Sequence, residues 1–165
     1  MTVSTAASWE RELGTLDRLA VRLVYISRHR RGKWATYLLR LLAVDIPPRV
    51  VIGPDLCLLH VGGGHVLHGN VTVGRGVVLN PGVVVGRADL WRPPAGDMKV
   101  LIGDHVILGA NSSVMVKEDA RLSIGEGTVL GASSVLTHST GDWEIWAGLP
   151  ARKLRDRPNE PTRKV

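Results

Sequence analysis

A chain of 165 residues has room for one domain and a short appendage, and its 44% hydrophobic content excludes wholesale disorder. That content holds no Phe, two Tyr, five Trp and 19 Gly, so Val, Ile and Leu must fill a narrow interior in thin aliphatic layers. The net charge of +6 sits at the ends: residues 1–45 hold 8 Lys/Arg against 4 Asp/Glu, residues 151–165 hold 6 against 2, and the middle holds 7 against 9. Two basic ends imply an anionic partner, whether cofactor phosphates, acidic headgroups or an acidic glycan. The middle segment has no basic stripe with interleaved aromatics, which argues against nucleic acid.

Cys57 is alone, which excludes an internal disulfide and fits a reducing compartment. The opening MTVSTAASWERELG lacks the basic start and apolar run of a signal peptide, and no stretch of 18 apolar residues is present. A cytoplasmic protein is the expectation.

In chain order, residues 8–44 read as helix. Leu13, Leu16, Leu19, Val21, Leu23 and Val24, then Trp34, Tyr37, Leu38, Leu41 and Leu42, keep helical spacing, and SRHRRGK with Gly32 marks a turn between two helices. Residues 1–45 are thus predicted to form a helical cap over an open end of the sheet structure that follows. The run Arg18 to Arg40, with Arg28, His29, Arg30, Arg31 and Lys33 at its bend, is a candidate contact for an acidic membrane face, with a solvated bend as the alternative.

From Ile46 onward aliphatic residues recur every six positions in four runs: Ile46, Ile52, Leu58; Leu67, Val73, Leu79, Val85; Ile102, Leu108, Val114; and Ile124, Leu130, Leu136. The next residue is Gly at 53, 74, 86, 103, 109, 125 and 131, and small or β-branched residues recur four places on, at Val50, Val71, Val77, Val83, Ser112, Thr128 and Ser134. A period of six fits neither a helix nor a simple hairpin alternation. It fits a three-faced prism of short strands and tight corners, with the aliphatic residue pointing to the axis. Residues 46–150 are predicted to be this all-β, parallel β-helix domain, preceded by the short helical segment. Residues 151–165 are a basic tail whose Pro- and charge-rich end, RDRPNEPTRKV, reads as loose.

Three breaks interrupt the register: nine residues from Leu58 to Leu67, seventeen from Val85 to Ile102, and ten from Val114 to Ile124. Insertions carry function in a solenoid. The first holds His60-Val61-Gly62-Gly63-Gly64-His65 and the second holds RADLWRPPAGDMK, and their places in neighbouring coils allow the two to lie together.

The stretch from IPPRVVIG to VVVG, then IGDHVILGANSSV, IGEGTVLGASSVL and AGLPARK, resembles the serine acetyltransferase-like branch of the hexapeptide-repeat acyltransferases. It is similar above all to bacterial exopolysaccharide O-acetyltransferases of the colanic acid type, through Ile46-Pro47, Leu58-Leu59-His60 and Leu67-His68. The resemblance runs from about residue 15 to 155. It implies a left-handed parallel β-helix, a homotrimer, acetyl-CoA bound in a groove between subunits, and direct transfer to a bound acceptor.

His60 matches the family's general base, and a hydroxyl attacking a thioester needs such a proton acceptor. The alternative is a histidine that stabilises a Gly-rich bend. His68 is placed beside it in the catalytic set, facing the groove and helping to hold the acceptor, with a surface corner as the alternative. His65 reads as a solvated loop residue, and His105 and His138 as coil-surface positions. Three histidines in nine residues invite a metal reading, but the flexible Gly62-Gly63-Gly64 argues against a preformed site, so no metal is expected. Trp91 and Arg92 resemble a sugar-binding pair, with a trimer contact as the alternative. Asn80 and Asn111 read as corner-stacking residues. Ala110 and Ala132 match positions where the family's backbone approaches the pantetheine arm, and Arg152 and Lys153 match basic residues near the coenzyme A phosphates, with a solvated tail as the alternative. Serine acetyltransferases carry an Asp before the catalytic His and a histidine with a basic residue in the long loop. Here Leu59 and Asp97-Met98-Lys99 stand instead. The expected activity is therefore an acetyl-CoA-dependent O-acetyltransferase acting on a sugar or glycan-precursor hydroxyl. Serine acetylation and a non-catalytic scaffold are the alternatives.

Overall fold

The structure, a computed structural model, describes residues 13–29, 32–94, 96 and 98–158. Helices α1 (Thr15–Ile26) and α2 (Lys33–Leu41) precede five coils of short strands. The first three coils are β1 (Val44–Asp45), β2 (Val51–Ile52) and β3 (Cys57–Leu58); β4 (His65–Leu67), β5 (Val71–Val73) and β6 (Val78–Leu79); and β7 (Val84–Arg87), β8 (Lys99–Ile102) and β9 (Ile107–Leu108). The fourth is β10 (Ser113–Val116), β11 (Arg121–Ile124) and β12 (Val129–Leu130), and the last contributes β13 (Val135–Leu136) and β14 (Glu144–Gly148). β15 (Ala151–Asp156) folds back antiparallel on β14.

The strands form three parallel faces. Face A is β1-β4-β7-β10-β13, face B is β2-β5-β8-β11, and face C runs β3-β6-β9-β12-β14 with β15 at its edge. The six-residue period becomes three vertical columns. Leu67 pairs with Val85, Val85 with Val114 and Val114 with Leu136; Ile52 with Val73, Val73 with Ile102 and Ile102 with Ile124; Leu58 with Leu79, Leu79 with Leu108 and Leu108 with Leu130. All are buried except Ile52, which is partly so. The secondary positions from Val50 to Ser134 are buried as well and complete the layers. Close approach explains the glycines better than backbone freedom does. A Cβ on Gly53 would lie 2.8 Å from the Gly74 carbonyl carbon, and one on Gly103 would lie 2.9 Å from the Glu126 nitrogen. A side chain there would push the next coil away.

The helical cap corrects the pattern read from sequence. Ala20, Leu23, Val24, Ala35 and Leu39 form its buried face, whereas Leu16, Leu19, Trp34, Tyr37, Leu38 and Leu41 lie exposed. Helix α1 packs on α2 and β3, and α2 packs on β1. The Tyr25 hydroxyl pins α1 to the first coil: it donates to the Gly53 carbonyl (2.8 Å) and accepts from the Leu56 N–H (3.2 Å). Residues 8–12 of the expected helix and 159–165 of the expected loose tail fall outside the described residues. The start of that tail is ordered, because Arg155 and Asp156 extend β15. Arg157 follows them, donates to the Gly127 carbonyl (2.7 Å) and lies 5.4 Å from the Trp143 ring centre.

Candidate functional site

The insertions fall on two different edges of the prism. Residues 59–64 turn from face C to face A, while 88–98 and 117–120 both turn from face A to face B. The expectation that the first two insertions lie together is therefore not met within one chain. The second is instead joined by the third, directly below it.

The C-to-A edge carries His60, exposed and with left-handed backbone at φ 50°. Two contacts hold its bend. Asp17 Oδ1 on α1 accepts the Val61 N–H (2.8 Å), and Gly63 lies so close to Pro81 that a Cβ would come within 2.6 Å of the proline Cβ. Asp17 is buried and also accepts the Gly14 N–H (3.0 Å), closing the first turn of α1. Leu59, where serine acetyltransferases carry Asp, is buried with Cys57 and Val78 and packs against Leu13 and Ile107. A carboxylate there would be desolvated.

Below His60 the same edge descends coil by coil. Asn111 donates its backbone N–H to Pro81 (2.8 Å) and Ser133 donates to Ala110 (2.8 Å), so Pro81, Ala110 and Ala132 lie on successive turns. The Asn80 side chain donates to the Leu108 carbonyl (3.0 Å), a corner bridge as expected. The turn joining β14 to β15 closes the foot of this edge, with Gly148 donating to Ser134 Oγ (3.0 Å) and Arg152 in register with Ala147. From His60 to that foot is four coil steps of about 4.8 Å, or about 19 Å. Arg152 is exposed. Lys153 is committed elsewhere, its Nζ lying 2.7 Å from both Glu144 and Asp156, whereas Arg152 donates to the adjacent Ala151 carbonyl (3.0 Å) and forms no ion pair among the described residues.

His65 corrects the solvated-loop expectation. It opens β4, is fully buried, and neither ring nitrogen makes a well-formed hydrogen bond. Burial pushes its imidazole below the ordinary value, opposed in part by the Leu79 backbone and the Asp17 charge.

The A-to-B edge holds a cavity of about 470 Å³ lined by Arg49, His68, Asn70, Arg87, Leu90, Pro94, Gly96 and Glu118. Its wall is an ionic lattice. Arg87 meets Glu118 at 2.9 Å and Asp89 at 3.7 Å, and Asp89 Oδ1 accepts the Glu118 N–H at 3.0 Å. Arg87 also donates to the Asp89 and Arg92 carbonyls, and Glu118 Oε1 accepts the Gly96 N–H at 2.5 Å, so both groups grip the long loop. Burial, and next the charge of Arg49, push His68 below its ordinary value; Glu118 opposes this and Arg87 adds to it. The Asn70 N–H donates to His68 Nδ1 (3.3 Å), so the neutral ring carries its proton on Nε2. A Cβ on Gly69 would overlap the Arg49 side chain, which lies across the edge there.

Trp91 and Arg92 lie outside this lining. Trp91 is 81% exposed, and Arg92 is drawn to Asp89 (3.7 Å) and Asp119 (3.5 Å). The cavity presents Leu90 and Pro94 instead. Arg49, Asn70, Arg87, Asp89, Glu118 and Asp17 escaped the sequence reading, although the break at VKEDAR marked the segment that supplies Glu118. His105 sits half-buried under Gly76, and His138 is exposed, as expected. Among the described residues no group of three or more His, Cys, Asp or Glu side chains is placed to hold a metal ion.

The three parallel faces and inward aliphatic columns define a parallel β-helix of the hexapeptide-repeat type, and the match to solved structures makes it the left-handed form. Serine acetyltransferases are among its solved structural neighbours. The enzyme from Vibrio cholerae O1 biovar El Tor N16961 is 26% identical, with a TM-score of 0.67 over 86% of this chain and 53% of that one. The Brucella abortus strain S19 enzyme in complex with coenzyme A is 24% identical, with a TM-score of 0.68 over 85% and 54%. The Neisseria gonorrhoeae enzyme in complex with serine is 26% identical, with a TM-score of 0.62 over 82% and 53%. The chain thus spans a little over half the length of these neighbours. No family model and no curated protein sequence matches it.

Proposed function

We propose that the protein is an acetyl-CoA-dependent O-acetyltransferase whose acceptor is a hydroxyl of a sugar or glycan precursor. The observation that carries the reading is the C-to-A edge itself: one exposed histidine at its head, small residues on the coils below, and Arg152 at its foot, about 19 Å away. An extended pantetheine arm with its pyrophosphate has a length of that order. The thioester end would lie beside His60 and the phosphates beside Arg152.

His60 accepts the acceptor's hydroxyl proton as the oxygen attacks the thioester carbonyl. The tetrahedral intermediate then collapses, a C–O ester bond stands where the C–S bond was, and the imidazolium returns its proton to the departing thiolate. The acceptor belongs in the A-to-B cavity. Leu90 and Pro94 give an apolar floor there, and Arg49, Asn70, His68 Nε2–H and the Glu118 carboxylate give the mixed donors and acceptors that sugar hydroxyls require. Since the two edges are separate within one chain, the reading includes a homotrimer in which His60 of one subunit faces the cavity of the next. Serine is the second reading, favoured by the serine-bound neighbour and opposed by buried Leu59.

The test is thiol release from acetyl-CoA with a panel of sugars and with L-serine, for wild type and His60→Ala. The expected result is turnover on a sugar and a fall of about 10²- to 10⁴-fold in kcat/KM for the variant. Robust turnover of L-serine alone overturns the sugar assignment, and wild-type rates in His60→Ala overturn the mechanism.

A further inference from the structure

We infer that the helical cap is a docking face for an anionic lipid bilayer. All six exposed residues of α2 belong to two kinds: Trp34, Tyr37, Leu38 and Leu41 are apolar or aromatic, and Lys33 and Arg40 are cationic. Leu41 is 82% exposed, Tyr37 69% and Trp34 53%, so these side chains stand in water rather than graze it. On α1 the exposed Leu16 and Leu19 lie beside Arg18 and Arg22. A helix presenting Trp, Tyr and Leu between basic residues suits the boundary between acyl chains and headgroups, where rings and aliphatic groups enter and cations stay at phosphate level.

Charge selects the occupant. Residues 13–43 hold seven Lys/Arg and a single acid, Asp17. Asp17 is buried and satisfied by the Gly14 and Val61 N–H groups, so no described carboxylate of the cap is exposed. Arg40 reaches Asp45 of β1 at 3.3 Å, and the exposed Arg18, Arg22 and Lys33 keep the surface positive. A second copy seated on this face by a two-fold axis would set like charges against each other. A polyanion without an apolar phase would leave Trp34, Tyr37 and Leu41 in water. An anionic bilayer satisfies both halves of the face. The contact is peripheral, since among the described residues no helix is long and apolar enough to cross a membrane.

The inference stands apart from the acetyl-transfer reading and is tested without it. The full chain is co-sedimented with vesicles of phosphatidylcholine alone and of phosphatidylcholine mixed with phosphatidylglycerol. Binding to the mixed vesicles is expected, weakened by added salt, and reduced about tenfold or more by Tyr37→Ser with Leu41→Ser. Turnover on a water-soluble acceptor should be unchanged in that variant. The inference fails if the wild-type chain stays in the supernatant with mixed vesicles or if the variant binds them equally well. It fails too if the variant instead lowers the oligomeric mass measured by light scattering, which would assign the face to a second copy.

Discussion

The two candidate edges of the prism are built on opposite principles. The C-to-A edge is nearly regular: its one insertion is short, its residues are small, and it holds His60 by a backbone bond to Asp17 and contact with Pro81. The A-to-B edge abandons the repeat twice and fixes its excursions with charge, through Arg87, Asp89 and Glu118. A long, uniform ligand needs a straight track, which a repeat supplies at every coil. A particular acceptor needs an irregular pocket, which a repeat cannot supply.

The sharpest way to break this division of labour is to separate the edges genetically. His60→Ala disables one, and Arg49→Glu with His68→Ala disables the other. Each variant alone is expected to be nearly inactive. If neighbouring subunits combine their edges, differently tagged copies assembled together and purified through both tags should recover activity. Each mixed three-fold ring that carries both tags has one of its three sites with both halves intact, so about a third of the wild-type rate is expected. Mixed oligomers with no recovery would place both edges' work within a single chain.

Glu118→Gln tests the cavity edge alone. Arg87 and Glu118 are both largely buried, with side chains 11% and 7% exposed. Removing the Glu118 charge leaves Arg87 only the longer contact with Asp89 (3.7 Å) as an ion pair, and a loss of about 2 kcal/mol in urea unfolding is expected. The loop loosens, so KM for the acceptor should rise several-fold while KM for acetyl-CoA holds. Equal rises in both constants would mean that the loop does not serve the acceptor in particular.

The difference between the edges also explains what the sequence made legible. From Ile52 to Leu136 each aliphatic position of the six-residue period lies in its column, because stacking coils repeat one local rule and each coil needs the same kind of residue at the same corner. The period placed Ala110 and Ala132 on successive coils, while their assignment to a coenzyme track came from the family resemblance. The cavity was not legible, because Arg49, Asn70, Arg87 and Glu118 come from four successive coils and meet only through stacking. A lone Arg after Pro-Pro and a Glu inside VKEDAR carry no spacing that announces a shared wall. The cap misled differently. Helical spacing identifies apolar residues but not which of them face inward, and there the small Ala20 and Ala35 face the core while Trp34 and Leu41 do not.

His65 marks the place where the regular edge carries a hidden cost. Its ring is sealed beside the His60 bend without a well-formed hydrogen bond, and burial favours its neutral form. Its folded-state pKa lies below the ordinary 6.5, so as pH falls the unfolded chain takes up the proton first. The stability contributed by the neutral ring is therefore full above 6.5 and is lost as pH falls toward the folded value. His65→Leu removes two unsatisfied nitrogens at similar volume and should stabilise the protein by about 1 kcal/mol at pH 8. The variant also lacks the proton linkage, so its advantage should widen when urea unfolding is repeated at pH 5.5. An advantage that is flat with pH would show that this imidazole is not held neutral by its surroundings. A variant less stable at both pH values would show that the ring has a polar partner worth keeping, which would make His65 a support for His60 rather than a strain beside it.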